Sequence, residues 1–231
     1  MTQLMDHLTR PSAPTTVGSS EDRHRFARRA LFVGVPAVWI GVALSHPVAD
    51  TGSLYEDLRG KVAIWMTVHV LQLVLSVGLA AGLWISLRGR QGRAATVARC
   101  AIPVYLVFFA AFDSITGIAS GLALHHANSL TGAAHEGAVS TAEYLLNNRF
   151  TADVSPTWAI GQTAMVTAIG ATAFALRATG ISRAAWGCIL AGALASMHAG
   201  PPAAIGFALL GYGLVRADGE RHSRSNVQEA S

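Results

Sequence analysis

Long apolar runs divided by short polar stretches set the pattern of this chain. Six runs can be marked: 30–45 (ALFVGVPAVWIGVALS), 62–87, 100–124, 157–176, 184–198 and 202–215. None shows sustained alternation of apolar and polar positions, so strands are not expected. A helix needs roughly 20 apolar residues to cross the hydrocarbon core. The last two runs are short, and Pro201 and Pro202 stand between them. They read either as one long kinked helix or as two helices joined by the tight turn HAGPP.

The basic residues decide between these. Arg23, Arg25, Arg28 and Arg29 precede the first run, and Arg88, Arg90, Arg93 and Arg99 follow the second. Arg177 and Arg183 flank the fourth connection, and Arg216, Arg221 and Arg224 follow the last run. The other connections hold few basic residues, offset by Asp50, Glu56, Asp57, Glu136, Glu143 and Asp153. Arginines on alternate connections place those connections and both termini in the cytoplasm, which needs an even number of spans. The expected fold is therefore all-α: a polytopic plasma-membrane bundle of six transmembrane helices with cytoplasmic N- and C-termini. Residues 1–29 read as a polar, disordered tail ending in a basic anchor, with no signal-peptide pattern. Residues 30–216 form the membrane domain, and 217–231 a second disordered tail. The long outer connection 125–156 contains STAEYLLNNRF. Ser140 with Glu143 three residues on reads as a capping box for a short surface helix, with Val139, Leu145 and Leu146 on its apolar face.

Composition agrees with that picture. Hydrophobic residues make up 52% and charged residues 13% of the 231, about half the charged share of soluble domains. The net charge of +4 invites a nucleic-acid reading, but the arginines flank apolar runs where topology explains them, so no nucleic-acid partner is expected. Cys100 and Cys188 form no CxxC motif and read as free thiols. The expected partners are the bilayer and a lipid-soluble small molecule; no oligomeric state is read from the sequence.

Candidate chemistry lies in the polar residues inside the runs. Trp65, His69, Gln72 and Ser76 recur at i, i+4, i+7 and i+11, one face of a helix. Asp113 shares a face with Gly117 and Gly121, with Thr116 one turn away. The fourth run offers Gln162, Thr163 and Thr167. His69 and Asp113 are the ionisable groups within the spans, and such groups face the bundle interior, pair, and mark function. They are expected to approach each other in an outward-opening cavity between the second, third, fourth and fifth spans. They are the catalytic candidates, with Trp65, Gln72, Gln162 and Thr116 as substrate contacts.

Six of the nine histidines fall on the expected outer side. His46, His125 and His198 are candidate ligands for a divalent metal such as zinc or iron, with one position left open. Without a metal, an Asp–His pair suits acid–base chemistry of hydrolase or terpene-cyclase type on a lipid-soluble substrate. A proton-coupled small-solute transporter is the alternative. A structural subunit, in which the pair forms an interhelical bond, is the third reading.

Overall fold

Serines, glycines and prolines punctuate the chain into helices. The computed structural model describes residues 26–47, 53–147, 155–196 and 199–229. The Ser53, Ser155 and Ser182 side chains each accept a backbone N–H three residues on, from Glu56, Trp158 and Ala185, satisfying donors that a helix start leaves unpaired. Gly92, Gly180 and Gly200 adopt positive φ in the connections, at 101°, 91° and 81°.

Every element among the described residues is helical. Helix α1 runs Phe26–Ser45 and includes a π-helical turn at Ala30–Gly34. The short α2 covers Leu54–Leu58 and α3 covers Val62–Ser86. Helix α4, Arg93–Ala127, is continuous: the α-helical Arg93–Phe112, the π-helical Asp113–Ala119 and the α-helical Ser120–Ala127 follow without a break. Then come α5 (Gly132–Asn147), α6 (Pro156–Arg177), α7 (Arg183–Ala195) and α8 (Gly200–Glu229).

Four of these, α1, α3, α4 and α6, are long and apolar enough to cross a membrane. Val38, Val70, Val74, Val107, Phe174 and Leu194 are exposed around the bundle, an apolar surface suited to lipid. These features mark a membrane protein. Helix α7 has 13 residues. In α8 the charged Arg216, Asp218, Glu220 and Arg221 fill the second half, and the helix continues to Glu229 where a tail beginning at 217 was expected. The first 25 residues of the expected N-terminal tail lie outside the described residues.

Six helices of the bundle contact one another as a closed ring, α1–α3–α4–α6–α7–α8–α1. One large apolar cluster fills it, with Trp39, Leu83, Tyr105, Phe109, Met165 and Phe207 among its members. Helices α7 and α8 are separate and antiparallel, not one kinked helix. Their backbones nearly touch: a Cβ on Gly192 would lie 2.8 Å from Leu210 N, and one on Gly213 would lie 3.0 Å from Ala185 O. Small residues permit that approach in lipid.

Helices α2 and α5 cover one end of the ring. Tyr55, Leu58, Trp65, Leu124, Ala142 and Leu146 belong to a second apolar cluster there. Tyr55 Oη donates to Asn128 Oδ1 at 2.9 Å, and Asn128 Nδ2 donates to Arg59 O at 3.0 Å. His135 Nδ1 lies 2.9 Å from Ala127 O, with its ring edge-on to Tyr55. The expected Ser140 cap is not made. Helix α5 starts at Gly132, eight residues earlier, and Ser140 is exposed in its interior. Ala133, Ala134 and Ala138 favour helix, and a longer helix lets Ala138, Ala142 and Leu146 all reach the second cluster. At the opposite end an Arg28–Asp218 ion pair ties α1 to α8, and Arg99 Nη2 donates to Leu87 O and Arg90 O.

Candidate functional site

The polar stripe of α3 faces the bundle interior. Trp65, His69, Gln72 and Ser76 are all buried, His69 and Gln72 completely. His69 Nδ1 lies 2.8 Å from Trp65 O, one turn back on its own helix. In the neutral ring that contact makes Nδ1 the protonated nitrogen and Nε2 the basic one. Two rings gather around His69 at the covered end. The Trp65 centroid is 4.4 Å away and that of His46, from the end of α1, is 5.0 Å away; His46 and Trp65 are 5.1 Å apart.

Asp113 opens the π-helical segment of α4 and is completely buried. In a π-helix each backbone N–H reaches back five residues, so the turn widens and its carbonyls shift from their usual partners. Side chains meet those carbonyls here. Trp65 Nε1 donates to Gly117 O at 2.8 Å. Ser120 Oγ donates to Thr116 O and, at 3.2 Å, to Gly117 O. His69 packs against Gly117, where any Cβ would overlap the imidazole. Gly121 receives Met66 in the same way, at 2.6 Å from a Cβ. These glycines are therefore contact points between α3 and α4.

His69 and Asp113 thus sit about one helical turn apart along α4, His69 over Gly117 and Asp113 one turn before it. No direct hydrogen bond joins them: both Asp113 carboxyl oxygens, and the Thr116 hydroxyl, are buried with no hydrogen-bond partner among the described residues. Asp113 lies about one turn of α4 away from the Gly117 contact that the His69 side chain makes. Burial of this kind costs several kcal/mol per charged group where nothing compensates it, about 1–3 kcal/mol for a neutral one. Tyr105, eight residues before Asp113 and on the same helical face, is also completely buried, with its hydroxyl towards Ser76 and within electrostatic reach of Asp113. Sequence reasoning passed over it, although the i, i+8 spacing pointed to it.

The other candidates divide. Gln162 Nε2 donates to Ser196 O at 2.9 Å, a tie between α6 and the end of α7. Thr163 and Thr167 are exposed on a lateral groove between α4 and α6 and do not extend the interior polar face, a correction. The cause is phase: each lies about 100° from an inward neighbour on a 3.6-residue helix. Of the proposed metal ligands, His46 stands beside His69, His125 is exposed, and His198 lies outside the described residues. No group of three His, Cys, Asp or Glu side chains among the described residues is arranged to hold a metal. His125 and its neighbour His126 end α4 on its outward face.

Below this polar set, towards the arginine-rich end, the α3 face turns apolar. Leu79 and Leu83 follow Ser76, both buried in the main cluster, before Ser86 appears at the helix end. Above it, Trp65 joins the site to the apolar cluster under α2 and α5. Comparison with protein-family models, curated proteins and solved structures gives no match.

Proposed function

We propose that this chain is a six-span plasma-membrane enzyme with both termini in the cytoplasm, acting on a lipid-soluble substrate by acid–base chemistry at Asp113 and His69. The short α7 and the apolar half of α8 supply the fifth and sixth spans, and α2 with α5 covers the outer face. One observation carries the functional reading. Polar side chains gather in one half of the bundle around an enclosed carboxyl, and Leu79 and Leu83 close the face beneath them. A transporter needs a polar path through to the other side, and this one ends at Ser76.

In this reading the substrate enters from the bilayer and lies between the carboxyl and the imidazole. A proton passes from an Asp113 oxygen to a carbon–carbon double bond of the substrate, and Nε2 of His69 takes a proton from the adjacent carbon. The double bond moves and no atom is gained or lost. His69 then gives its proton to water and Asp113 takes one from water, which restores the enzyme and brings solvent hydrogen into the product. Thr116 orients the carboxyl, and Trp65, beside His69, offers a π face to the positive charge that develops. Gln72 lines the approach.

Deuterium labelling tests this even while the substrate is unidentified. Proteoliposomes holding the protein and an unsaturated lipid extract are incubated in heavy water, and the lipids are weighed by mass spectrometry. The wild type should transfer deuterium into one lipid class, and Asp113→Asn should not, at unchanged helicity. Equal labelling by both proteins, or none by the wild type, sinks the proposal. Asp113-dependent proton flux into the vesicles would instead indicate transport.

A further inference from the structure

Pro47 shapes the covered end of α1. A proline disfavours helical backbone in the residue before it, and His46 accordingly leaves the helix, with φ −66° and ψ 120°. Its Nδ1 lies 2.8 Å from Pro47 O. His69, on α3, is held in the same way, with Nδ1 2.8 Å from Trp65 O. A carbonyl oxygen only accepts, so in each neutral ring the proton is on Nδ1 and the lone pair on Nε2. Both Nε2 atoms are buried, although His46 as a whole is partly exposed. The two ring centroids stand 5.0 Å apart, with the planes at 66°.

An Nδ1–H on a backbone carbonyl, with the lone pair on Nε2, is how proteins fix an imidazole that ligates a metal. The separation of the rings fits the same chemistry. A zinc–nitrogen distance of about 2.0–2.1 Å, added to a ring radius of about 1.2 Å, puts a metal at Nε2 about 3.2 Å from the ring centroid. Two imidazoles on one tetrahedral ion then stand about 5.2 Å apart, and two on a linear ion about 6.4 Å apart. The observed 5.0 Å matches the tetrahedral arrangement. Trp65 stands against both rings, at 5.1 Å from His46 and 4.4 Å from His69, and its own Nε1 is tied to Gly117 O. It therefore limits how far either imidazole can turn.

We propose that His46 and His69 together bind a divalent transition-metal ion of the zinc type through their Nε2 atoms. Imidazole donors suit zinc, copper, nickel and iron, and the tetrahedral separation favours zinc among these. Oxygen-seeking ions such as magnesium are not taken. Two protein donors leave two tetrahedral positions for water or another small ligand. The partly exposed His46 gives the ion its way in, from the end of α1. A bound metal occupies the Nε2 lone pair that the acid–base chemistry uses, so it switches that chemistry off; this consequence alone rests on the function proposed above.

The test uses the tag-free full chain in detergent, stripped with a chelator and then dialysed against zinc or magnesium. Metal is counted by plasma mass spectrometry, and affinity is read by competition with a chromogenic chelator. The wild type should hold one zinc per chain and no magnesium, and cobalt in place of zinc should give the intense visible absorption of a tetrahedral site. His46→Phe keeps a ring beside Trp65 but has no donor, and His69→Gln removes the other imidazole. Each should weaken zinc at least tenfold, the loss that even outer-shell partners cause, in samples that keep their helicity. His125→Ala, an exposed histidine at the end of α4, should not. No zinc in the wild type, undiminished zinc in His46→Phe, or equal loss in His125→Ala overturns the site. Metal counting needs no turnover, so it stands apart from the acid–base reading. Zinc should also stop deuterium transfer; binding without that inhibition keeps the metal site and removes His69 from the acid–base reading.

Discussion

Gly117 shows how tightly one residue couples the two halves of the site. Its missing side chain is where the His69 ring lies. Exchange of Gly for Ala inside a helix normally stabilises by roughly 0.5–1 kcal/mol. Here the new methyl group meets the imidazole and the sign should reverse, with a loss of about 1–3 kcal/mol. Gly170, in the interior of α6 with nothing near a prospective Cβ, provides the contrast. Gly170→Ala should raise Tm and Gly117→Ala should lower it, and scanning calorimetry in detergent measures both. A Gly117→Ala protein as stable as the wild type would mean that His69 is free to move away. At this scale the sequence was informative about identity and poor about geometry. Asp113 and His69 stand out because carboxyl and imidazole groups are rare inside apolar runs, and both are fully buried. That His69 rests on Gly117 instead of bonding Asp113 depends on distances no spacing rule contains.

The π-helical segment is the element that decides those distances. Seven residues, DSITGIA, change the turn in the middle of a helix of 35. Deletion of one residue from such a bulge restores regular α-helix and returns the Thr116 and Gly117 carbonyls to i→i+4 partners. Ser114 is exposed, so its deletion removes no core side chain. The deletion should keep α4 helical by circular dichroism, break the Trp65–Gly117 contact with a shift in tryptophan emission, and abolish deuterium transfer. Retained transfer would show that the bulge has no part in the chemistry. Helix existence was legible because apolar runs and arginine flanks point the same way. The bulge was not, since nothing in DSITGIA distinguishes an i→i+5 bond from an i→i+4 bond. Helix α5 was recognised but started eight residues late, because the Ser140–Glu143 pattern also fits a helix interior and the docking of Ala138 and Ala142 decides the matter.

For the whole molecule, the arrangement of ends is the main expectation still carried by charge alone. Gln91 lies exposed at the arginine-rich end and Ser129 exposed at the covered end. With Cys100 and Cys188 replaced by alanine, Ser129→Cys should react with a membrane-impermeant maleimide on intact cells. Gln91→Cys should react only after permeabilisation. The reverse pattern would invert the topology and place the Asp113 site towards the cytoplasm. The ring of helices was legible only in part: the order of spans follows from the runs, but closure of α8 onto α1 rests on the Arg28–Asp218 pair and on side-chain packing, which a linear pattern does not encode.

The glycine seam between α7 and α8 bears on how the protein is made. Thirteen residues give α7 about 20 Å of helix, short of the hydrocarbon core of about 30 Å. Such a segment holds too little apolar length to stay in the bilayer as it leaves the insertion machinery. Its backbone is matched to α8 at Gly192, Gly206 and Gly213, and α8 is the next helix to be synthesised. In the proposed topology the two should therefore enter as a hairpin, with α7 held at the interface until its partner arrives. In that six-span topology, a chain cut short before α8 should lose the fifth span along with the sixth.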